Sequence, residues 1–275
     1  MSRLKLMING LPGNVAMIIA GHAAKDERFE LLPWSLTGPE IEQETADVDG
    51  TPVSLIRPDD RNTVIQEIIG KHGRFISVDY THPTAVDANA RFYCDNHLPF
   101  VMGTTGGDRN ALTDTVTESE TCAVIAPNMA KQIVGFQAMM AYAAENFPGL
   151  FKGYEMIVRE SHQQGKADTS GTAKAIVQYF NKLGVDFSEA DIIKERNPVV
   201  QETELGVPRQ HLGGHGWHTY TLVSPDGSAK FEFTHNINGR DIYAEGTLDA
   251  VRYLAGKIDQ GHTGRVYSMI DVLRQ

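Results

Sequence analysis

The segment Leu4–Ala16 reads LKLMINGLPGNVA, and it decides the fold because glycines in it join a strand pattern to a helix pattern. The apolar run LKLMI has the length of a short buried strand, and the helical segment VAMIIAGHAA follows it. Between them, Gly10 and Gly13 begin the spacing Gly-x-x-Gly-x-x-Ala, a relative of the dinucleotide-binding fingerprint. Small residues are required there because the backbone must turn tightly and bring helix N-terminal amides close to a pyrophosphate.

This glycine segment predicts a nicotinamide dinucleotide as the cofactor. A strand-to-helix turn without a ligand would also use glycines, but a turn that opens a βαβ pattern favours nucleotide binding. The predicted contacts within the segment are Gly10, Gly13, Asn14 and Val15. The second strand ends in PWSLTG (Pro33–Gly38), which has no Asp or Glu to bind an unphosphorylated ribose. The Ser35 and Thr37 hydroxyls could instead bind a 2′-phosphate, so we expect NADPH rather than NADH.

Outward from this segment, short apolar strands alternate with helical segments through about residue 130. The strand candidates lie at residues 29–36, 75–80, 98–103 and 121–126, and the helical patterns at 61–70 and from about 131 onward. Such alternation predicts parallel pairing, because parallel neighbours need a crossover connection. We therefore predict an α/β fold that begins with a Rossmann-type, doubly wound parallel sheet. Sheets of this kind bind ligands beyond the carboxyl ends of their strands, where this chain places DYTHP, GTTG and APNM.

The second part of the chain has a different pattern. GYEMIVRESH alternates apolar and polar residues, and HTYTLV and AKFEFTH flank the hairpin turn SPDGS. These features predict a C-terminal α+β domain with a mixed or antiparallel sheet. We place a dinucleotide-binding domain at residues 1–130, completed by 241–275, and a substrate-binding and oligomerisation domain at 131–240. The outer face of the second sheet is the expected surface for association between copies of the chain.

Composition excludes several classes of partner. The chain has 275 residues with a formal net charge of −10, which argues against binding to nucleic acid or an anionic membrane surface. No apolar run approaches the ~18 residues of a membrane span. Cys94 and Cys122 are too few for a disulfide framework. We expect a cytoplasmic protein, or one of the plastid stroma if a transit peptide has been removed from a plant-type precursor.

The segment with the most candidate catalytic and anion-binding residues is RESHQQGKADTSGTAKA (Arg159–Ala175). Ser170 or Thr169 could simply cap the helix that follows. A helix N-terminus can also bind a carboxylate, and Lys166 would add a positive charge to it. His162 is the type of side chain best suited to donate a proton near neutrality. The combination therefore favours a site that binds an anionic substrate and protonates it.

The same segment, through Glu160-Ser161-His162, Lys166 and Asp168–Ala173, resembles the signature of the 4-hydroxy-tetrahydrodipicolinate (dihydrodipicolinate) reductase family. VDYTHP, GTTG and APNM fit that family in the same order, as does HNINGRDIYAEGTLDA with Arg240. The resemblance covers essentially the whole chain and is greatest to the plant branch. It implies an oxidoreductase that reduces a cyclic dicarboxylate with NADPH or NADH, on the path to diaminopimelate and lysine. It also implies a homotetramer, with a dimer as the alternative in the plant-like branch.

The resemblance implies roles for individual residues. His162 would be the proton donor and Lys166 the second catalytic group. The implied substrate contacts are Gln163, Ser170, Gly171, Thr172 and Arg240. The further implied cofactor contacts are Thr81, Gly103, Thr104, Thr105, Ala126, Pro127, Asn128 and Met129. Many bacterial members have a second histidine where this chain has Gln163, so Arg240 or a histidine of the segment 211–218 is expected to supply the charge for the second carboxylate.

Other interpretations remain open at this point. His211, His215 and His218 could bind zinc, although the glycines between them give no rigid ligand spacing, and we expect no metal. A nucleotide-binding regulator without catalysis could keep the same fold, but it would have no use for His162 and Lys166. A reductase of another cyclic imine dicarboxylate would need the same site.

Overall fold

The apolar run at the start of the chain forms a strand, β1 (Leu4–Asn9), whose last four residues are buried. The computed structural model describes residues 3–275. Contacts within the chain divide it into two units: unit 1 is Met1–Lys131 with Asp241–Gln275, and unit 2 is Gln132–Arg240. Among residues 3–275, no helix combines the length and the apolar character that crossing a membrane requires.

Unit 1 is built from alternating strands and helices. After β1 these are α1 (Asn14–Lys25), β2 (Phe29–Leu31), β3 (Trp34–Leu36), β4 (Thr45–Val48), β5 (Thr51–Ile56), α2 (Arg61–His72), β6 (Ile76–Asp79), α3 (Val86–Asp95), β7 (Phe100–Met102), α4 (Arg109–Thr117) and β8 (Cys122–Ile125). A short 3-10 helix precedes α3 at Pro83–Ala85. The chain leaves unit 1 through α5 (Lys131–Asn146).

The chain then forms unit 2 and returns to unit 1 at its end. The elements of unit 2 after α5 are β9 (Glu155–His162), α6 (Gly171–Lys182), β10 (Ile193–Glu195), α7 (Pro198–Thr203), β11 (His215–Val223) and β12 (Lys230–Asn238), with 3-10 helices at Glu189–Asp191 and Arg209–His211. The elements that complete unit 1 are α8 (Asp241–Asp259), β13 (Arg265–Tyr267) and α9 (Met269–Leu273).

The centre of unit 1 is a six-stranded sheet in the order β13-β8-β7-β6-β1-β2, with every pairing parallel. Strands β6, β7 and β8 are buried along their whole length, as expected where helices cover both faces. The chain order reverses at β1, since β2 lies on one side of it and β6 on the other. A ligand crevice is expected at the carboxyl ends of the strands at such a point. The predicted doubly wound parallel sheet is thus confirmed.

The predicted single strand at residues 29–36 is wrong, because the segment crosses from one sheet to another. Its first half, β2, pairs with β1, and its second half, β3, pairs with β5 in a separate three-stranded sheet ordered β3-β5-β4. Pro33 lies at the crossing, and a proline has no backbone N–H to continue a ladder. The β4–β5 hairpin, which the sequence analysis did not predict, turns at Asp49 and Gly50, both with positive φ.

Helix α8 completes unit 1 and packs close to the backbone of the segment that follows β8. A Cβ on Gly246 would lie 1.7 Å from the carbonyl oxygen of Met129, so only glycine permits this approach. The Tyr80 hydroxyl, at the end of β6, lies 2.6 Å from Thr247 Oγ1. Lys131 Nζ also forms an ion pair with Asp249. These contacts fix the segments that follow β6 and β8.

Unit 2 is a mixed sheet in the order β10-β9-β11-β12, with the β10–β9 pairing parallel and the other two antiparallel. Helix α6 packs on one face of it through apolar residues at helical spacing. The buried side chains of α6 are Ala173, Ile176, Val177 and Phe180. They share a hydrophobic core with sheet residues that include Met156, Val158, Tyr220 and Leu222. The predicted α+β domain with a mixed sheet is confirmed.

Candidate active site

The glycine segment forms a tight turn between β1 and α1. Gly10 has φ +103, and its N–H donates to Leu36 O at 2.9 Å, while the N–H of Gly13 donates to Gly10 O at 2.8 Å. No side chain within residues 3–275 caps α1 at Gly13, and the first turn of α1 has no acidic residue. The first N–H groups of α1 are therefore available to an anion such as a pyrophosphate.

A cavity of about 860 Å³ lies beside this turn, within unit 1. It falls in the range of roughly 300–1,000 Å³ that is usual for small-molecule sites. The predicted cofactor residues that line it are Gly10, Gly13, Asn14, Thr37 and Thr81. The size of the cavity and the uncapped helix at its edge fit a dinucleotide, whereas Val15 lies outside the lining.

The structure gives Ser35 a different role from the predicted one. Its side chain is fully buried, and its hydroxyl accepts the N–H of Leu11 at 3.2 Å and lies 3.3 Å from Leu36 O. The hydroxyl of Thr37 donates to Leu11 O at 2.8 Å, although Thr37 also lines the cavity. Ser35 thus shapes the glycine turn and cannot contact a cofactor in the cavity. The prediction that its hydroxyl binds a 2′-phosphate is wrong.

Three of the side chains in the cavity wall that were not predicted as cofactor contacts bear on its chemistry. Glu40 lies two residues beyond Pro33–Gly38, so an acidic residue does line the cavity. Arg61, at the start of α2, also lines the cavity, with its Cζ 4.7 Å from the centre of the Phe92 ring. Tyr80 also lines the cavity. Of these three residues, only Tyr80 belongs to one of the predicted cofactor motifs, DYTHP.

A buried carboxylate holds the segments after β6 and β7 in place. Asp79 Oδ1 accepts the Thr81 N–H at 3.1 Å and the Thr81 and Thr104 hydroxyls at 2.9 and 2.6 Å. Its other oxygen, Oδ2, accepts Asn89 Nδ2 at 3.0 Å and the Tyr93 hydroxyl at 2.7 Å. Burial is the main cause of a strongly raised pKa of Tyr93, which keeps that hydroxyl protonated. Asp79 therefore positions the loops at the crevice.

The remaining predicted cofactor residues follow β7 and β8, outside the lining of this cavity. Thr105 and Pro127 are exposed, Gly103 and Asn128 are half-buried, and Thr104, Ala126 and Met129 are buried. A Cβ on Gly103 would lie 2.3 Å from the Tyr80 ring, so this glycine is needed for packing. Asn128 Oδ1 accepts the Ala130 N–H at 2.9 Å. Gly103 and Asn128 therefore stabilise the conformation of the loops after β7 and β8.

His162 ends β9 in unit 2, and its two ring nitrogens have different surroundings. Nδ1 lies 3.0 Å from the carbonyl oxygen of His215, whereas Nε2 is buried and has no hydrogen-bond partner among residues 3–275. Burial lowers the pKa of His162 from its ordinary 6.5, and the nearby Glu160 carboxylate opposes that shift. Arg196 and Lys166 lower the pKa further. Among residues 3–275, Nε2 is therefore the ring nitrogen that is left without a bond.

The segment after His162 carries a second group of anion-binding features. Lys166 Nζ donates to Asp168 Oδ1 at 2.9 Å. Ser170 is the N-cap of α6, but its side chain makes no capping bond among residues 3–275, and the first turn of α6 has no acidic residue. The first N–H groups of α6, which include Gly171 and Thr172, are therefore available to a carboxylate. This replaces the alternative that Ser170 serves only as a side-chain cap.

His218 on β11 and His235 on β12 stack on each other. His218 lies 5.1 Å from His162 and 4.6 Å from His235, measured between ring centres. Burial lowers the pKa of His218 well below its ordinary value and that of His235 to about 4. His215 also has a pKa lowered by burial, and its nitrogens contact the Ser161 hydroxyl and His211 O. These lowered pKa values disfavour His215 and His218 as the source of positive charge for a carboxylate.

Of the three histidines considered as zinc ligands, only His218 belongs to a possible metal-binding group among residues 3–275. In the part of the chain that the structure describes, the histidine and carboxylate groups that could hold a metal are those of Glu160, His162 and His218, with ligand atoms within 4.8 Å of one another. Both carboxylate oxygens of Glu160 are already used, one by Arg196 and the other by the N–H of Ser170. A metal ion would have to displace those bonds, so the geometry favours an ion pair at this place.

Arg240 and Gln163, the two residues expected at the second carboxylate, are both half-buried. Arg240 follows β12, and its Nη1 would lie 3.3 Å from a Cβ on Gly214. Gln163 follows His162, and its carbonyl oxygen accepts the N–H of Lys166 at 3.0 Å. Of the residues predicted for the second carboxylate, Arg240 has a guanidinium, which stays positively charged.

Family models match the chain in two adjoining parts. The model described as "Dihydrodipicolinate reductase, N-terminus" matches residues 4–129, and "Dihydrodipicolinate reductase, C-terminus" matches residues 133–273. Among curated proteins, the 4-hydroxy-tetrahydrodipicolinate reductase 1, chloroplastic, of Arabidopsis thaliana is 45% identical over 272 residues, covering 99% of this chain and 78% of the relative. A probable 4-hydroxy-tetrahydrodipicolinate reductase 2, chloroplastic, of Oryza sativa subsp. japonica is 44% identical, covering 98% of this chain and 83% of the relative.

A solved structure shares the fold. It is a dipicolinate-bound dihydrodipicolinate reductase from Paenisporosarcina sp. TG-14, with a TM-score of 0.66 and 16% sequence identity, and the match covers 97% of this chain and 98% of that one. At this identity the likeness establishes the architecture alone. The architecture agrees with the sheet orders and with the two parts matched by the family models.

Proposed function

The chain belongs to the dihydrodipicolinate reductase family, and on that premise we propose that it catalyses the nicotinamide-dependent reduction of 4-hydroxy-tetrahydrodipicolinate to tetrahydrodipicolinate. This is an oxidoreductase reaction of diaminopimelate and lysine biosynthesis. The observation that carries the proposal is the buried, unpartnered Nε2 of His162, followed along the chain by Lys166 and by the uncapped N-terminus of α6. That set suits an anionic substrate that must also receive a proton.

The proposed roles follow from the chemistry of the substrate. A bound nicotinamide supplies the hydride, and hydride attack on an unsaturated cyclic imine leaves an electron-rich enamine that must gain a proton. His162 would hold that proton on Nε2, because Nδ1 faces a backbone carbonyl. Lys166 and the first N–H groups of α6 would bind one carboxylate. Dipicolinate, an aromatic dicarboxylate bound in the solved relative, should occupy the same place without reacting.

We also propose that NADPH is the preferred cofactor. Arg61 supports this, since it lines the cavity beside the glycine turn and its guanidinium could pair with a 2′-phosphate. Glu40 lines the same cavity, and its negative charge would repel a 2′-phosphate. The preference therefore depends on which of the two side chains lies nearer the adenosine ribose.

The testing experiment measures the loss of nicotinamide absorbance when purified protein meets the product of dihydrodipicolinate synthase acting on pyruvate and aspartate semialdehyde. Parallel runs with NADPH and NADH give both Michaelis constants. We expect turnover with both cofactors and a lower KM for NADPH. Cofactor binding without turnover would contradict the proposed reaction, and a lower KM for NADH would contradict the proposed preference alone.

Replacing Arg240 with Ala should raise the KM for the dicarboxylate by roughly tenfold, since a charge-assisted bond to a carboxylate is lost. The kcat should change less, because Arg240 is assigned to binding and not to proton transfer. Steady-state kinetics on the native chain and the variant give both constants. An unchanged KM would remove Arg240 from the second carboxylate.

We propose further that copies of the chain associate through the outer face of the unit 2 sheet. Ile157 and Ile193 lie on that face with 54% and 45% of their surface exposed, beside threonines of β11. A tetramer is the proposed state, with a dimer as the alternative, and light scattering on the purified chain distinguishes them. The chloroplastic relatives support a plastid stroma as the compartment if the source is a plant.

A further inference from the structure

The segment of residues 163–170 joins β9 to α6 and carries the anion-binding groups of unit 2. Within it, Lys166 N–H donates to Gln163 O at 3.0 Å, and Lys166 Nζ donates to Asp168 Oδ1 at 2.9 Å. The segment is neither helix nor strand. Its shape must therefore depend on bonds from outside the segment.

Two of those bonds come from one guanidinium group. Arg196 follows β10, and its Nε donates to Lys166 O at 2.8 Å. Its Nη2 lies 3.4 Å from Asp168 O and forms an ion pair with Glu160, while Nη1 donates to Glu195 O at 2.9 Å. Every nitrogen of the guanidinium therefore has a partner, and two of these partners are carbonyls of the segment.

The carboxylate of Glu160 holds the other end of the segment. Glu160 lies on β9, two residues before His162, and its side chain is fully buried. Its Oε2 accepts the N–H of Ser170, the N-cap of α6, at 2.9 Å, while Oε1 pairs with Arg196. A buried carboxylate requires a charged partner, so the two side chains depend on each other.

We propose that Arg196 and Glu160 are a positioning pair that holds Lys166 and the N-terminus of α6 in the arrangement that binds the dicarboxylate. The inference rests on the proposed function. Neither residue contacts the substrate in this account. Arg196 holds the backbone carbonyls of Lys166 and Asp168, and Glu160 holds the N–H of Ser170, the N-cap of α6. The planar guanidinium can donate in several directions at once, which a lysine ammonium on a flexible stem does not reproduce.

The variant Arg196→Lys separates positioning from charge neutralisation. A lysine keeps a positive charge beside Glu160 but cannot also hold the carbonyls of Lys166 and Asp168. If Arg196 only neutralises Glu160, the variant should bind substrate as the native chain does. If it positions the segment, the dissociation constant of dipicolinate and the KM of the substrate should both rise roughly tenfold, with a smaller change in kcat.

The matched control is Arg159→Lys, the same replacement at the neighbouring position of β9. Arg159 is exposed, and its side chain points to the opposite face of the sheet from Glu160. Its variant should keep the native dipicolinate affinity and KM. Cofactor affinity, which depends on unit 1, should stay native in both variants and reports that unit 1 has folded.

Each outcome bears on one claim. A native chain that neither turns over nor binds dipicolinate contradicts the proposed function. A native chain that does both, with an Arg196→Lys variant within twofold of it, overturns the positioning role. If Arg196→Lys loses cofactor affinity, the neutral double variant Glu160→Gln, Arg196→Gln replaces it, and its native-like dipicolinate affinity would overturn the inference in the same way.

Discussion

Replacing His162 with Asn should lower kcat by about 10²–10⁴-fold, the range that general acid catalysis by a positioned side chain supplies. The replacement is chosen for its geometry. An Asn amide can reach the position of Nδ1 and keep the contact with His215 O, which lies 3.0 Å away in the native chain. It has no atom at the position of Nε2, the buried nitrogen assigned to proton transfer. Steady-state kinetics with saturating cofactor measure the effect.

The control for this variant is His97→Asn, the same change at an exposed histidine of unit 1. His97 has φ +52, a conformation that asparagine tolerates, so stability should also be kept. Its kcat should equal that of the native chain. An His162→Asn variant that retains more than about a tenth of the native kcat would remove His162 from the role of acid.

The pH dependence of kcat/KM gives an independent test of the same assignment. An acid must be protonated to act, so kcat/KM should fall as pH rises through the pKa of His162 in the free protein. Burial lowers that pKa from 6.5, so the fall should begin below pH 6.5. A pKa of the free protein above 6.5 would show that the Glu160 charge outweighs burial. The fall should be absent in His162→Asn.

The parallel sheet of unit 1 could be predicted because its strands are buried on both faces and therefore read as continuous apolar runs. The three-stranded sheet could have been found in part. Asp49-Gly50 lies between ADV and TPVSLI, and this dipeptide is a strong signal for a two-residue hairpin turn. The division of residues 29–36 between two sheets depends on which strand each half meets, and that is a tertiary contact that local sequence does not specify.

In the candidate site, too, residues close together in the sequence could be predicted, whereas contacts between residues far apart in the sequence could not. His162, Lys166 and Ser170 lie within nine residues, and their side-chain chemistry indicates a site without knowledge of the fold. Arg196 is 36 residues from Glu160, and the two meet because β10 pairs with β9. Ser35 was misassigned for a related reason, since the sequence does not specify whether a strand hydroxyl faces the cavity or the neighbouring turn.

Replacing Gly10 with Ala should abolish measurable cofactor binding and lower the free energy of unfolding by more than about 4 kcal/mol, a loss that single substitutions rarely cause. The added Cβ would lie 2.2 Å from Tyr80 O and 2.5 Å from the carbonyl carbon of the same residue. Both atoms belong to the backbone. Moving them would disturb the bond from Tyr80 N–H to Asn9 O, 3.0 Å long, and Gly10 also has φ +103, where an alanine is strained.

Two further alanine variants turn this prediction into a graded series. At Gly13, with φ −57, the backbone suits any residue, but a Cβ would lie 2.7 Å from Gly10 O, so the effect should be intermediate. At Gly70, within α2, a Cβ would meet nothing within 4 Å, and the chain should gain up to about 1 kcal/mol from helix propensity. Denaturant unfolding and cofactor titration measure all three. If Gly10→Ala bound cofactor as tightly as Gly70→Ala, the turn could not approach the pyrophosphate as closely as the fingerprint requires.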